Sequence, residues 1–230
     1  MIMRDRRGVY HRNRVRLKTS NELVSEGSAM AVIASWIADA PHSIEVLPCD
    51  PRHGAIALEA LQVTARSPLG AIAHETGGVL IDGGWIRVLG AGNVRLARTI
   101  AGWNGLPCDP GDAYLPGAMF VADDVLGGMY AIDVGALGAA AAGHICYFAP
   151  GALAWRDTGL TYGEWLRHAI VDPDDAYSRW DGWETDVHSL PGTHAFLLDP
   201  SPWEPGPPFV DRARRPVTMR ELRDALLRRS

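Results

Sequence analysis

Apolar side chains in the first third of the chain recur at helical spacing behind three start signals. One apolar face that continues past Gly27 is formed by Leu23, Met30, Ile33, Trp36 and Ile37. It follows Thr19 and Glu22, a capping-box pair in which each side chain bonds the backbone amide of the other. Asp50-Pro51 and Ser67-Pro68 each combine a cap with a first-turn proline. The pattern predicts a helix after each of these signals.

The middle of the chain alternates short apolar runs with glycine turns. It predicts strands at 44–48, 79–81, 85–89, 118–123, 129–134 and 145–150. Asp82-Gly83-Gly84 is expected to close a hairpin, because glycine supplies the positive φ of a tight turn. Such short turns require antiparallel pairing, since a parallel crossover needs a dozen or more residues. A helix from about Val94 to Trp103, capped by Asn93, is predicted to interrupt the strands.

Three further start signals predict helices near the C-terminal end. Two are capping-box pairs, Thr161 with Glu164 and Thr218 with Glu221, and the third is Asp172-Pro173. The predicted fold class is therefore α+β, with a mostly antiparallel central sheet and helices at the N- and C-terminal ends. Because no long polar linker divides the chain, residues 19–230 are predicted to form a single globular domain.

Charge separates the first 18 residues from the rest of the chain. Residues 1–18 carry a formal charge of +6, whereas residues 19–230 carry −11. We expect the basic segment to be a disordered arm, and nucleic-acid binding only through that arm, because the acidic body repels phosphate. An acidic body favours a basic protein partner. With three widely spaced cysteines and no apolar run of about 20 residues, the sequence predicts a cytoplasmic protein that crosses no membrane.

The sequence contains no recognisable cofactor or metal motif. Gly90-Ala91-Gly92 follows a strand as a dinucleotide loop does, but Arg95 occupies the position of the third glycine. The eight histidines are scattered without the spacing of metal ligands. Neither a P-loop nor a nucleophile elbow is present. We therefore predict no cofactor, no metal and no catalytic residue, and the sequence favours a binding protein over an enzyme.

The turn "ADDVLGG" carries the strongest candidate contact residues. Asp123 and Asp124 end a strand and precede Gly127 and Gly128. Paired carboxylates serve as general acid and base or hold a divalent cation. Successive strand residues face opposite sides of a sheet, however, so the alternative is that one carboxylate caps the turn. The sequence leaves both interpretations open.

Four other side chains are candidates for contact with a ligand or partner. Trp180 and Trp183, in "RWDGW", have a composition typical of interface anchors, although the sequence favours structural packing for both. His74 precedes a double glycine, and Arg66 precedes the second Ser-Pro signal. A small-molecule-binding protein or hydrolase with a pocket near Asp123 and Asp124 would require these side chains to converge.

Three segments of the chain form a specific pattern: "LQVTARSPLGAIAHETGGVLIDGGWIRVLGAG", "VADDVLGGMYAIDVGALG" and "HICYFAPGALAW". They closely resemble a bacterial family known as domain of unknown function 2625, and the resemblance extends from about Ser20 to "RRPVTMRELRDA". The chain departs from the family pattern at His74, at Gly151 and at Asp133-Val134-Gly135, which argues against a family-wide role for His74. The family implies no activity.

Residues 78–150 resemble, more remotely, the SUKH superfamily. The shared features are preceding helices and a Gly-Gly turn before an alternating strand, here "ADDVLGGMYAID". Many proteins of that superfamily are immunity proteins that bind toxin enzymes. The resemblance implies a non-enzymatic protein-binding domain, of immunity or regulatory type, with a basic partner such as a toxin enzyme. A small-molecule-binding protein or hydrolase is the alternative.

Overall fold

Eight α-helices and nine β-strands make up the part of the chain that the computed structural model describes, residues 16–106, 115–140, 142–172 and 179–230. The helices are α1 (Ser20–Val24), α2 (Met30–Ala38), α3 (Pro51–Leu61), α4 (Pro68–Glu75), α5 (Ile100–Trp103), α6 (Tyr162–Val171), α7 (Trp183–Ser189) and α8 (Met219–Leu227). The strands are β1 (Ile44–Leu47), β2 (Gly78–Ile81), β3 (Ile86–Leu89), β4 (Ala118–Asp124), β5 (Met129–Asp133), β6 (His144–Ala149), β7 (Ala154–Thr161), β8 (His194–Asp199) and β9 (Ala213–Thr218).

The strands form one large and one small antiparallel sheet. In the large sheet, β1 to β7 lie side by side in sequence order, and each pairs antiparallel with the next. Strands β8 and β9 form a separate two-stranded sheet. With helices before and after the large sheet, the predicted α+β class and the mostly antiparallel central sheet are confirmed.

The predicted helix starts are confirmed where the signal is local. Thr19, Thr161 and Thr218 each form a complete capping box with the glutamate three residues later. Asp50 and Ser67 cap α3 and α4, each ahead of a first-turn proline. These signals act over a single turn, so the rest of the chain cannot override them easily.

Two predictions about the elements were wrong, and three strands were not predicted. The helix expected from Val94 is reduced to α5, which is capped by Thr99. Residues 93–96 instead form a local turn, in which the backbone amide of Asn93 donates to the carbonyl oxygen of Leu96 and its side-chain oxygen accepts the backbone amide of Arg95. The helix expected past Gly27 is broken into α1 and α2, because Gly27 adopts a φ of +91°. Strands β7, β8 and β9 were missed. The helix expected after Asp172-Pro173 falls largely outside the described residues, and so do residues 1–15 of the basic arm.

The large sheet has two covered faces. Ile86 is the register partner of Asp124 and points to one face, whereas the neighbouring pair, Arg87 and Asp123, points to the other. Helices α4 and α6 pack together and contact β2 and β6 respectively, on the face of Ile86. On the other face, the guanidinium of Arg87 donates to the carbonyl oxygen of His194 in β8, and α8 packs against β8 and β9. The hydrophobic core fills both layers.

Candidate functional site

A cavity of about 880 Å³ lies where the Ile86 face of the sheet, α6 and the segment 198–210 meet. Its size falls within the range of about 300–1,000 Å³ that is typical of small-molecule pockets. Its aromatic lining residues are Trp85, Tyr130, Tyr147, Trp165 and Phe209. Its polar lining residues are Asp82, Arg156, Thr158, His168 and Arg179. An apolar wall with few polar groups is the usual composition of a ligand pocket.

Three aromatic rings from β5, β6 and α6 form the floor of the cavity. The ring centroid of Tyr130 lies 4.8 Å from that of Tyr147 and 4.9 Å from that of Trp165. Tyr130 and Tyr147 are cross-strand partners, so the sheet itself sets their contact. Rings at these separations attract one another and keep few rotamers. The three rings, tilted by 38° and 41° to one another, therefore form one continuous aromatic surface.

Beneath this floor, the hydroxyl of Tyr147 donates to a buried carboxylate. The distance from Tyr147 Oη to Asp124 Oδ2 is 2.8 Å. Asp124 Oδ1 accepts the backbone amides of Leu126 and Gly128, at 2.9 and 2.8 Å. Burial raises the pKa of Asp124, while the hydrogen bonds from Tyr147, Gly128 and Leu126 oppose that rise. Asp124 thus caps the turn and orients the tyrosine.

The two glycines of the turn are required by close packing. A Cβ on Gly128 would lie 2.0 Å from Asp124 Oδ2 and 2.3 Å from Tyr147 Oη. A Cβ on Gly127, whose φ is +89°, would lie 2.6 Å from a methyl carbon of Leu222 in α8. Gly128 therefore permits the bond between Asp124 and Tyr147, and Gly127 permits α8 to pack on the turn.

The proline-rich segment that forms one wall of the cavity is held by Arg212. Its guanidinium donates to four main-chain carbonyl oxygens, those of Pro200 (3.0 Å), Ser201 (2.5 Å), Glu204 (3.1 Å) and Pro207 (2.9 Å). The planar fork of arginine allows one side chain to serve several acceptors. Arg212 thereby sets the position of the wall that includes Phe209.

On the opposite face of the sheet, Asp123 lies between two buried arginines. Arg87 Nη2 lies 2.6 Å from Asp123 Oδ1, and Arg98 bonds both carboxylate oxygens. Arg98 Nε also donates to the carbonyl oxygen of Gly192, at 3.0 Å. Burial lowers the pKa of Arg87, and the charge of Asp123 opposes that change. The cluster joins β3, β4 and the segments that flank α5 and β8, so its role is structural.

The structure does not bring the predicted contact residues together. Asp123 and Asp124 point to opposite faces, and both are almost fully buried. Arg66 is exposed and pairs with Glu26 at 3.4 Å, while His74 lies in the last turn of α4, and neither lines the cavity. A hydrolase that uses these four side chains is therefore excluded by geometry. Tyr147, whose hydroxyl donates to Asp124, lines the cavity, but neither Asp123 nor Asp124 does.

The remaining predicted contact residues also serve packing. Gly127 and Gly128 are buried with almost all of the "ADDVLGG" turn, so this turn does not provide the exposed contact surface expected of it. Trp180 is buried against Trp85, and its Nε1 donates to Asp186 at 2.7 Å. Trp183 is half-buried, with its ring centroid 5.4 Å from that of Trp85. For both tryptophans, the packing interpretation fits the structure.

Sequence reasoning missed the residues that line the cavity. Tyr147 and Trp165 were placed in a strand and a helix without a role, and Arg156 lies in the strand β7 that was not predicted. An available signal was the alternation in "HICYFA", where Tyr147 breaks the apolar run on one face. No signal in the sequence connects Arg156 with Phe209, because their proximity arises only from the fold.

Two further properties concern the described residues alone. No cluster of three or more His, Cys, Asp or Glu side chains among them has the geometry of a metal site. None of their helices is both long enough and apolar enough to cross a membrane.

Comparison with known proteins finds one matching family and two bacterial relatives of similar length. The model of the family described as "Protein of unknown function DUF2625" matches residues 20–222. The chain is 37% identical over 210 residues to the uncharacterized protein YbfG of Escherichia coli strain K12, covering 90% of this chain and 94% of that protein. It is 34% identical over 188 residues to an uncharacterized protein of Haemophilus influenzae strain Rd, covering 80% and 82%. No solved structure matches the chain, so the SUKH resemblance stays a prediction.

Proposed function

The chain belongs to the DUF2625 family, and because that family is described only as of unknown function, we propose from the cavity that this protein binds a small molecule. The observation that carries the proposal is a concave pocket of about 880 Å³ lined by aromatic side chains with a few polar groups. The ligand is of metabolite size and lies against the rings of Tyr130, Tyr147 and Trp165.

The hydroxyl groups with assigned bonds favour binding over hydrolysis. Thr158 donates its hydroxyl to the carbonyl oxygen of Ile145, at 2.7 Å. Tyr147 donates its hydroxyl to Asp124, which also caps the turn. A hydrolytic nucleophile needs a hydroxyl or thiol activated by a base and directed at the substrate. These two groups instead hold the walls in place.

The test is a titration with N-phenyl-1-naphthylamine, a neutral aromatic dye whose fluorescence rises in an apolar pocket. We expect saturable 1:1 binding by the wild-type protein. Ala149→Trp places an indole in the cavity from β6 and should weaken binding at least about tenfold, equivalent to about 1.4 kcal/mol. The matched control, Ala213→Trp, adds the same group on the exposed side of β9 and should leave binding unchanged.

Thermal melting of both variants distinguishes a filled cavity from an unfolded protein. A folded Ala149→Trp variant that binds the dye as well as the wild type would contradict the proposal. So would a wild-type protein that shows no saturable binding of the dye.

A basic protein partner is a second proposal, supported by the formal charge of −11 on residues 19–230. Acidic surfaces accelerate association with basic partners in a salt-dependent way. Since the "ADDVLGG" turn is buried, the contact surface would lie elsewhere on the molecule. Affinity purification from the native cell at low and high salt tests this proposal. Recovery of no protein at either salt concentration would count against it.

A further inference from the structure

The charged groups around the cavity are unequally compensated. Arg179 forms an ion pair with Asp82, and its guanidinium lies 4.5 Å from the ring centroid of Trp183. Arg156, in contrast, has no hydrogen-bond or ion-pair partner among residues 16–106, 115–140, 142–172 and 179–230. Asp82 is the one acidic side chain in the lining that the structure describes. The lining therefore carries an uncompensated positive charge at Arg156.

The position of Arg156 connects this charge with the aromatic floor. Arg156 in β7 is the register partner of Tyr147 in β6, so both side chains stand on the same face of the sheet. Tyr147 is half-buried and Arg156 is exposed, which places the guanidinium at the mouth and the ring inside. A ligand that lies on the ring of Tyr147 extends directly toward Arg156.

Given the proposed binding function, on which this inference rests, we infer that the ligand combines a planar ring with an anionic group and that Arg156 binds the anion. The guanidinium presents a planar fork of donors that matches the oxygens of a carboxylate, sulfonate or phosphate. The rings of Tyr130, Tyr147 and Trp165 bind the planar part. The ion pair with Arg179 neutralises the negative charge of Asp82, which would otherwise repel the anion.

Two dyes with the same ring system separate the anionic group from the ring. 8-Anilinonaphthalene-1-sulfonate is N-phenyl-1-naphthylamine with an added sulfonate. We expect the wild-type protein to bind the sulfonated dye about 1.5-fold to fivefold more tightly, the range of a partly exposed ion pair. Raising the NaCl concentration should weaken binding of the sulfonated dye alone, because salt screens the charge.

Substitution of Arg156 tests its role directly. Arg156→Gln should lower the affinity for the sulfonated dye to that for the neutral dye, while the neutral dye binds as to wild type. Arg156→Lys retains the charge without the fork and should give an intermediate affinity. The matched control is Arg167→Gln, an exposed arginine of α6 outside the lining, which should change neither affinity. Competition by 1-naphthoate and by 1-naphthyl phosphate then identifies the preferred anionic group.

The possible failures are distinguishable. If neither dye binds, the proposed binding function is wrong and the inference falls with it. If the neutral dye binds in a manner sensitive to Ala149→Trp, but the sulfonated dye gains nothing or ignores Arg156→Gln, only the inference is overturned. Thermal melting of each arginine variant confirms that the protein remains folded.

Discussion

Gly127 and Gly143 have almost the same backbone conformation but very different surroundings. Their φ angles are +89° and +93°, in the left-handed region that side chains other than glycine rarely adopt. A Cβ on Gly127 would lie 2.6 Å from the side chain of Leu222, whereas one on Gly143 would meet no described atom within 4 Å. The pair therefore separates the cost of packing from the cost of backbone strain.

Alanine substitution at these two positions should give unequal losses of stability. Gly127→Ala is expected to lower the free energy of unfolding by about 1–3 kcal/mol more than Gly143→Ala, because only the former overpacks the contact with α8. Urea denaturation followed by circular dichroism measures the difference. Equal losses in the free energy of unfolding for the two variants would show that α8 shifts to accommodate the added methyl group without loss of stability.

Residues of the turn were recognised in the sequence as a group, although their individual roles were not. "ADDVLGG" marks a turn because glycine and aspartate favour one locally. Asp124 does cap the turn, as one of the two interpretations held. The pairing of Asp123 with Arg87 and Arg98 depends on residues 36 and 25 positions away, and no local pattern encodes it.

At the scale of elements, Asp133 organises the connection between β5 and β6. Its Oδ1 accepts the amides of Gly135, Ala136 and Leu137, at 2.6–3.1 Å, and its Oδ2 accepts that of Ala139, at 2.8 Å. Burial raises the pKa of Asp133, but the four amide donors together have the larger, opposite effect. The pKa therefore lies at about 2, below its ordinary value of 3.8. The ionised carboxylate is thus the form that the loop binds.

The contribution of Asp133 should depend on pH in a defined window. A folded-state pKa below the unfolded value stabilises the protein above pH 3.8, and the stabilisation is lost as the pH falls toward 2. The free energy of unfolding of Asp133→Asn should therefore lie below that of the wild type at pH 7 and approach it between pH 3.8 and 2. The exposed Asp39→Asn variant serves as the control. If the difference in free energy of unfolding between wild type and Asp133→Asn stays constant with pH, the ionised carboxylate does not stabilise the loop.

Elements with local start signals were predictable, and elements defined by partners were not. The capping boxes at Thr161 and Thr218 lie where the sequence places them. Strand β7 was missed because most of its residues are exposed at the sheet edge and lack the apolar alternation of a half-buried strand. Strand β9 contains three consecutive polar or proline residues, Arg214 to Pro216, and is a strand because β8 pairs with it.

At the scale of the whole molecule, the cluster of Arg87, Asp123 and Arg98 connects the two sheets. Arg87 reaches the carbonyl oxygen of His194, and Arg98 reaches that of Gly192, so Asp123 orients both arginines toward the start of β8. All three side chains are at most 8% exposed, so little solvent is available to replace a lost partner. Removing one member of a buried ion pair lowers the free energy of unfolding by far more than an exposed ion pair contributes to it.

Asp123→Asn should therefore lower the free energy of unfolding by about 3–5 kcal/mol, because two buried guanidinium groups lose their counter-charge. Asp181→Asn, at an exposed position, should change it by less than about 0.5 kcal/mol. Urea denaturation at pH 7 compares the two. A loss below about 1 kcal/mol for Asp123→Asn would mean that water enters the cluster.

The fold class could be predicted because short turns permit few topologies, but the cavity could not. Its lining combines β2, β6, β7, α6 and the segment 198–210, and volume is a property of their arrangement rather than of any residue. The sequence suggested a pocket near Asp123 and Asp124, but neither of these side chains lines the cavity. Apart from Tyr147 in "HICYFA", the aromatic side chains that form it are indistinguishable in sequence from those of an ordinary core.

The wall built from the segment 198–210 sets an order of events during synthesis of the protein. Strands β1 to β7 pair only with neighbours in the sequence, so the large sheet can form as the chain leaves the ribosome. Leu198 and Phe209, by contrast, line the cavity together with Ile81 and Trp85, across more than one hundred residues of sequence. Until the segment around Phe209 has emerged, the nascent chain therefore lacks one wall of the cavity.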